Sequence, residues 1–335
     1  MFHVFSIKPR KQNSHLLESG VPVVGLRHSV ISAGQEDGEL RNLGRYICGL
    51  VFLWPWLSAR AAHTDHVSVI MPVFRCTQYL PESIGSVLAQ THPNWTLYTV
   101  NDGPDDEGEK VLRDFARRDS RVRVIQLPQN LGIAQARNQA LTSAYKEHPG
   151  DYISFLDCDD WLAPQKLQRQ IQFMRAGRVA FSFTSFQAWD GEKDLVSKPF
   201  QVWPRVRRED LLYYNRIHTG TVMLDTQLVG EVFMPPYTDG MDDIRLWLRI
   251  TDRGFDAHGL NENLALYRIR AGSKSRDKSR MAAARLRVLQ EQGLSTPSIV
   301  LRMLVYAGVG VWRQKVTFRR NIPCPFFVAR EGFGY

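Results

Sequence analysis

Residues 151–161 read D-Y-I-S-F-L-D-C-D-D-W. Tyr152 to Leu156 is a short apolar, aromatic-rich run of the kind a buried strand requires, and it ends in three carboxylates, Asp157, Asp159 and Asp160. Carboxylates a few ångströms apart repel and raise one another's pKa unless something positive lies between them, so the cluster predicts a divalent cation. Donors made of oxygen alone favour Mg2+ or Mn2+, which complete their shells with water and substrate phosphates. A strand end is also where open α/β sheets bind ligands. The competing reading is a charged turn into a helix with Asp159 or Asp160 as its cap, since Asp is a favoured N-cap. Cys158 reads as a small filler of the strand end, because flanking carboxylates disfavour a thiolate.

Outward from this point the chain alternates regularly. Strands are expected at Val67–Met71, Thr96–Val100 and Val122–Leu127, separated by helices at Pro81–Gln90, Glu109–Arg117 and Ala134–Tyr145. Units of this kind predict a doubly wound, mostly parallel sheet whose strand-end loops share one rim. Those loops are polar: Pro72-Val73-Phe74, Asn101-Asp102-Gly103, Gln129-Asn130-Leu131-Gly132, and the aspartates. No glycine-rich phosphate loop is present, which excludes a dinucleotide fingerprint and a Walker loop.

Pro164 opens a helix carrying Leu167, Ile171 and Met174, closed at Gly177, and further strands are expected at Val179–Thr184, Thr219–Leu224 and Leu264–Ile269. Residues 189–208 read as an irregular loop over a cleft. Asp242 and Asp243 open a helix whose Ile244, Trp247 and Leu248 face inward; two acids at a helix start also suit the dipole. The chain therefore divides into an N-terminal extension (1–65), an α/β domain (66–280) and a helical tail (281–335).

The formal charge of +9 is unevenly spread: 14 of the 43 Lys and Arg fall within 266–335, against 3 of the 34 Asp and Glu. A localised basic tail suits an anionic membrane surface, and a solubilising face is the plain alternative. No helix-turn-helix, zinc pattern or interleaved stacking aromatics accompany it, so no nucleic acid is expected. The apolar run 46–57 is shorter than the roughly 20 residues a bilayer crossing needs. Cys48, Cys76, Cys158 and Cys324 have no C-x-x-C spacing, so the sequence predicts a reducing compartment and no disulfide framework.

V-S-V-I-M-P-V-F at 67–74, N-D-G at 101–103, N-L-G-I-A-Q-A-R-N at 130–138, F-L-D-C-D-D-W at 155–161, D-D-I-R-L-W-L at 242–248 and Y-R at 267–268 together resemble the inverting family 2 glycosyltransferases of the GT-A fold. The resemblance runs from about 66 to 280, and the order of the motifs is more specific than any one of them. It implies a Rossmann-like nucleotide-binding half joined to an acceptor-binding half, and a nucleotide-sugar donor. Pro72, Phe74, Asp102, Asn130, Arg137 and Asp157 would hold the nucleotide, with Asp102 on the base or ribose and Arg137 near the diphosphate. Asp157 and Asp159 would form the D-x-D element binding Mg2+ or Mn2+. Asp243 matches the general base, with Asp242 its neighbour at the same motif, and an unshifted Asp near ~3.9 would be ionised at neutral pH.

Some positions depart from that pattern. Asn101 replaces a common acid, Pro104 a common serine, and Arg270 stands where His often follows Tyr-Arg. The absence of Q-x-x-R-W and of long membrane-spanning runs favours transfer of a single sugar over processive synthesis. The C-terminal arrangement is similar to that of bacterial capsule, exopolysaccharide and O-antigen enzymes, which implies a glycan or polyprenyl-diphosphate-linked acceptor. It also implies a cytoplasmic site peripheral to the inner face of the cytoplasmic membrane, with the basic tail on anionic lipid. Two other classes compete: a haloacid dehalogenase-type phosphatase using Asp157 and Asp159, and a non-catalytic nucleotide-sugar or nucleic-acid binding module.

Overall fold

The structure is a computed structural model that describes residues 65–148, 152–190, 195–270, 277–316 and 318–319. The expectations for the N-terminal extension, including the run 46–57, fall outside these residues, as do most of the basic loop after Arg270 and the last sixteen residues of the tail.

Four parallel strands form the first half: β1 (Val67–Val73), β2 (Trp95–Asn101), β3 (Val122–Gln126) and β4 (Tyr152–Phe155), in the spatial order β4-β1-β2-β3. Every residue of β1, β2 and β4 is buried, which is why these segments are near-continuous apolar runs. Helices α1 (Leu80–Leu88), α2 (Asp106–Arg118) and α3 (Ile133–Glu147) supply the crossovers. Asp105 caps α2 by accepting from the Gly108 amide at 3.0 Å, and three acids in its first turn and two arginines in its last complement the dipole.

The second half makes the sheet mixed, which corrects the expectation of a mostly parallel one. After β5 (Trp161–Leu162) and helix α4 (Lys166–Gly177), strand β6 (Phe181–Asp190) runs ten residues, all buried. β9 (Met223–Asp225) lies antiparallel to both β4 and β6, while β10 (Ala257–Ile269) lies parallel to β6. β10 has register shifts at Leu260/Asn263 and Asn263/Ala265 and also pairs with β5. The expected cleft loop 189–208 instead contains two short strands, β7 (Leu195–Ser197) and β8 (Arg205–Val206). The expected strand at Thr219–Leu224 begins as a 3-10 turn, while α4 ends at Gly177 as expected, with Arg178 after it in the left-handed conformation as its cap.

Helix α5 (Arg208–Tyr213) and helix α6 (Asp242–Asp252) pack on this half, followed by α7 (Lys278–Glu291), α8 (Thr296–Val316) and β11 (Phe318–Arg319). Trp247 fixes α6: it is fully buried, with ring centroids 6.0 Å from Phe155 and 5.0 Å from Phe181. Loss of such a side chain costs about 3–5 kcal/mol, so the two acids at the start of α6 stand on a rigid mount. Arg285 of α7, also buried, donates to the carbonyls of Leu211 and Leu212 at the end of α5. Among the described residues no helix is long and apolar enough to cross a membrane.

Candidate active site

The carboxyl ends of β1, β2 and β4 and the start of α6 open into one cavity of about 1610 Å³. Single small-ligand pockets run to roughly 1,000 Å³, so this volume suits two substrates side by side. Its walls include Pro72, Phe74, Asp102, Asn130, Arg137, Asp157, Asp159, Asp242 and Asp243, all nine positions singled out from the sequence.

Asp102 organises the nucleotide-side wall. Its Oδ1 accepts from the Leu131 amide at 2.7 Å, and its Oδ2 accepts from the Gly132 amide at 3.0 Å and from Asn130 Nδ2 at 3.1 Å. Gly132 has φ +89 and Gly103 φ +123, conformations that side chains resist, and at Gly103 a side chain would also crowd the Asn130 backbone, 3.2 Å away. A carboxylate offers about four acceptor positions, and three are filled here. The expected contact of Asp102 with a base or ribose is thereby limited to what remains. Asn101 also finds its reason: its amide donates to Gln126 Oε1 at 2.9 Å and ties β2 to β3, which an acid could not do.

Arg137 lines the cavity at its base. It is buried and bridges two acids, with Nη2 donating to Asp157 Oδ1 at 2.6 Å and Nη1 to Asp242 Oδ2 at 3.1 Å. Burial pushes the Asp157 carboxyl up, but Arg137, aided by His218 and Arg270, outweighs it and holds the group below its ordinary range. Asp159 shifts the other way, raised by burial and by Asp157, although Arg270 Nε reaches its Oδ2 at 2.8 Å. Asp160 is raised further, by burial and by both neighbouring acids; its Oδ1 accepts from the Arg268 amide at 2.9 Å and so secures β10.

The cluster is short of positive charge even with its arginines. A divalent cation between Asp157 and Asp159 fits this donor set. Among the described residues no group of three or more His, Cys, Asp or Glu side chains is arranged to hold a metal. The remaining ligands would come from water and substrate phosphate, as Mg2+ and Mn2+ use.

Asp242 and Asp243 separate in role. Asp242 is 4% exposed and tied to Arg137. Asp243 faces the cavity, accepting from the Ile244 amide at 2.7 Å, from Asn215 Nδ2 at 3.3 Å and from Thr219 Oγ1 at 3.4 Å. Burial and the charge of Asp242 push its carboxyl up to about 6, which departs from the unshifted value expected of it. A carboxylate of this kind is ionised at neutral pH and a better proton acceptor than an ordinary aspartate.

Three features had no local signal in the sequence. Cys76, after β1, and Cys158, inside the acidic element, form a disulfide that joins residues 82 apart, a correction to the expectation of unpaired cysteines. His218 sits 3.9 Å from Asp160 and against the rings of Phe186 and Tyr267. Arg268 lies over Trp161 at 4.0 Å, Tyr79 at 4.4 Å and Trp189 at 4.8 Å, and pairs with Glu82.

The sequence profile described as Glycosyl transferase family 2 matches residues 68–226. A Bacillus subtilis (strain 168) protein named as a teichuronic acid biosynthesis glycosyltransferase, TuaG, is 35% identical over 216 residues, 64% of this chain and 84% of that protein. The Escherichia coli protein WfaP, named UDP-Glc:alpha-D-GlcNAc-diphosphoundecaprenol beta-1,3-glucosyltransferase, is 31% identical over 254 residues, 76% of this chain and 97% of WfaP. Among solved structures, the mannosyltransferase PcManGT of Pyrobaculum calidifontis, determined with GDP-Man and Mn2+, superposes with a TM-score of 0.53. That match covers 79% of this chain and 78% of the other at 14% identity, a likeness of fold, which is GT-A.

Proposed function

The chain belongs to glycosyl transferase family 2, and on that premise we propose that it moves one sugar from a nucleoside-diphosphate sugar, with UDP as the nucleotide, to a hydroxyl of a lipid-linked glycan in surface-polysaccharide synthesis. Membership in a glycosyltransferase family removes the phosphatase and binding-module readings. The observation that carries the proposal is the placement of Asp157, Asp159 and Asp243 on the walls of one cavity large enough for donor and acceptor together.

In this reading Pro72, Phe74, Asp102 and Asn130 shape the nucleotide wall, and Asp157 and Asp159 hold Mg2+ or Mn2+. Such an ion supplies Lewis-acid stabilisation of the charge that develops on the departing diphosphate. Arg137 holds Asp157 and Asp242 in place and keeps the Asp157 carboxyl ionised. Asp243 takes the acceptor proton as the hydroxyl attacks the anomeric carbon from the face opposite the diphosphate, with inversion. Its raised pKa strengthens it for that task, and Asp242, held by Arg137, is a positioning acid. The transferase domain spans 66–280 and the tail 281–335.

The tail docks the enzyme on an anionic membrane surface. Val300, Leu301 and Leu304 of α8 are 52%, 52% and 66% exposed, and five Arg or Lys follow Val309 in the sequence. An apolar helix face followed in the sequence by cations is the composition of an interfacial segment. Co-sedimentation with vesicles containing anionic phosphatidylglycerol, lost in Leu301→Glu/Leu304→Glu, checks this part.

The deciding experiment is calorimetric titration with UDP, GDP and dTDP, each with and without Mn2+, for the native protein and Asp159→Ala. Metal-dependent binding of UDP that the variant abolishes is expected. A folded protein that binds none of the three refutes the proposal.

A further inference from the structure

Both carboxylates of the D-x-D pair are held by guanidinium groups, but the two arginines differ in freedom. Arg137 is 3% exposed and locked between Asp157 and Asp242. Arg270 is 32% exposed, lies one residue past the end of β10, and meets Asp159 Oδ2 through Nε at 2.8 Å. Its neighbour two residues back, Arg268, is by contrast clamped by Glu82, by the Asp159 carbonyl at 3.0 Å and by three aromatic rings. Arg268 is thus tied on several sides, whereas Arg270, just past the strand end, meets Asp159 and lies 5.9 Å from the Tyr79 ring. It also lines the cavity.

We propose that Arg270 is an exchangeable counter-ion: it neutralises Asp159 while the site is empty, yields that carboxylate to the metal ion, and moves onto the diphosphate of the bound nucleotide. The inference rests on the reading of Asp157 and Asp159 as metal ligands. A guanidinium and a divalent cation on one carboxylate repel each other, so metal entry without nucleotide costs the Arg270–Asp159 pair with nothing gained for Arg270. A nucleoside diphosphate arriving with the metal provides a new anion, and a guanidinium matches phosphate oxygens in geometry as well as charge. Arg270 thus makes metal and nucleotide bind as a set. When the sugar leaves, the diphosphate gains one further negative charge, and Arg270 is already beside it. A histidine at this position could not serve in the same way, because near neutral pH it is largely uncharged.

The test uses the full-length protein and Mn2+ binding followed by electron paramagnetic resonance of the free ion, with UDP affinity measured separately at saturating Mn2+. In Arg270→Gln the Mn2+ affinity without nucleotide rises about tenfold and the UDP affinity falls about tenfold, within the usual range of coupling between linked sites. Arg270→Lys, which keeps the charge, stays closer to the native values on both. No gain in Mn2+ affinity, or no loss of UDP affinity, overturns the proposal. Asp159→Ala is the separate control: if it leaves Mn2+ binding with UDP intact, the metal reading itself fails, whereas its loss beside an unchanged Arg270→Gln sinks the counter-ion role alone. Melting temperature and UDP-independent circular dichroism confirm that each variant is folded.

Discussion

Arg137 and Asp242 are joined by a buried ion pair, Nη1 to Oδ2 at 3.1 Å, while the other arm of the same guanidinium holds Asp157 at 2.6 Å. One cation therefore connects the acidic element at the end of β4 with the helix that carries Asp243.

Removing that cation leaves two acids facing each other in a low-dielectric site. Breaking a buried pair by deleting one partner costs about 3–5 kcal/mol. Arg137→Met is expected to lower stability by that amount in denaturant unfolding at pH 7.5. Since Arg137 also draws the Asp243 carboxyl down, the variant's residual activity should fall off at a higher pH than in the native enzyme. An unchanged unfolding midpoint would show that the pair is not formed in solution.

Asp243, pushed up to about 6 by burial and by Asp242, must be deprotonated to accept a proton. Activity should therefore be full above that value and decline as pH drops through it. Asp243→Asn is expected to lower kcat by about 10²–10⁴-fold with little effect on UDP binding. Asp242→Asn removes the neighbouring charge and should move the acid limb to lower pH. A pH profile whose limb stays in place in Asp242→Asn contradicts the proposed division of roles.

Lys166 gives a pH signature in stability. It is fully buried behind β4, donating to Ser154 Oγ, and burial lowers its pKa from 10.5 to about 7. Between about 7 and 10.5 the folded chain holds this lysine neutral while the unfolded chain protonates it, so the unfolded state binds the extra proton. Stability contributed by this site then rises with pH across that window, by about 1.4 kcal/mol per pH unit at most, and is flat below it. Lys166→Met should remove the slope and be more stable than the native chain at pH 7. Urea unfolding at pH 7, 8 and 9 reads both.

The disulfide between Cys76 and Cys158 closes a loop of 82 residues. Chain-entropy arguments assign such a closure about 4.5 kcal/mol. Dithiothreitol, or Cys76→Ser/Cys158→Ser, is expected to lower the melting temperature and to weaken UDP binding together, because the bond ties the loop after β1 to the acidic element. Thiol titration of the native, unfolded protein before and after reduction should differ by two groups.

The nucleotide-binding half was legible because its signals are local. Each strand is a buried apolar run, each crossover has a 3.6-residue period, and polar residues mark the rim, so β1 to β4 and α1 to α3 follow from the sequence within one to three residues at most ends. The nine residues singled out by motif order line one cavity. What the sequence did not disclose depends on distance in the chain. Arg137 finds Asp242 across 105 positions, and Arg268 finds Glu82 across 186. The mixed direction of the sheet comes from β5, β7, β8, β9 and β11, each two or three residues long and too short to show a period. The length of β10 was hidden by its register shifts, which place polar residues out of alternation. Asp102 looked like a free ligand because nothing near it in sequence reveals that the amides of Leu131 and Gly132 claim its oxygens.

Cys158 stands between the two acids of the D-x-D element and lines the cavity. Its sulfur, bonded to Cys76, belongs to the buried apolar cluster that includes Leu80 and Leu156. The element carrying the two acids is therefore pinned at its middle residue to the loop after β1, and Asp157 and Asp159 flank a covalent anchor that points into the core.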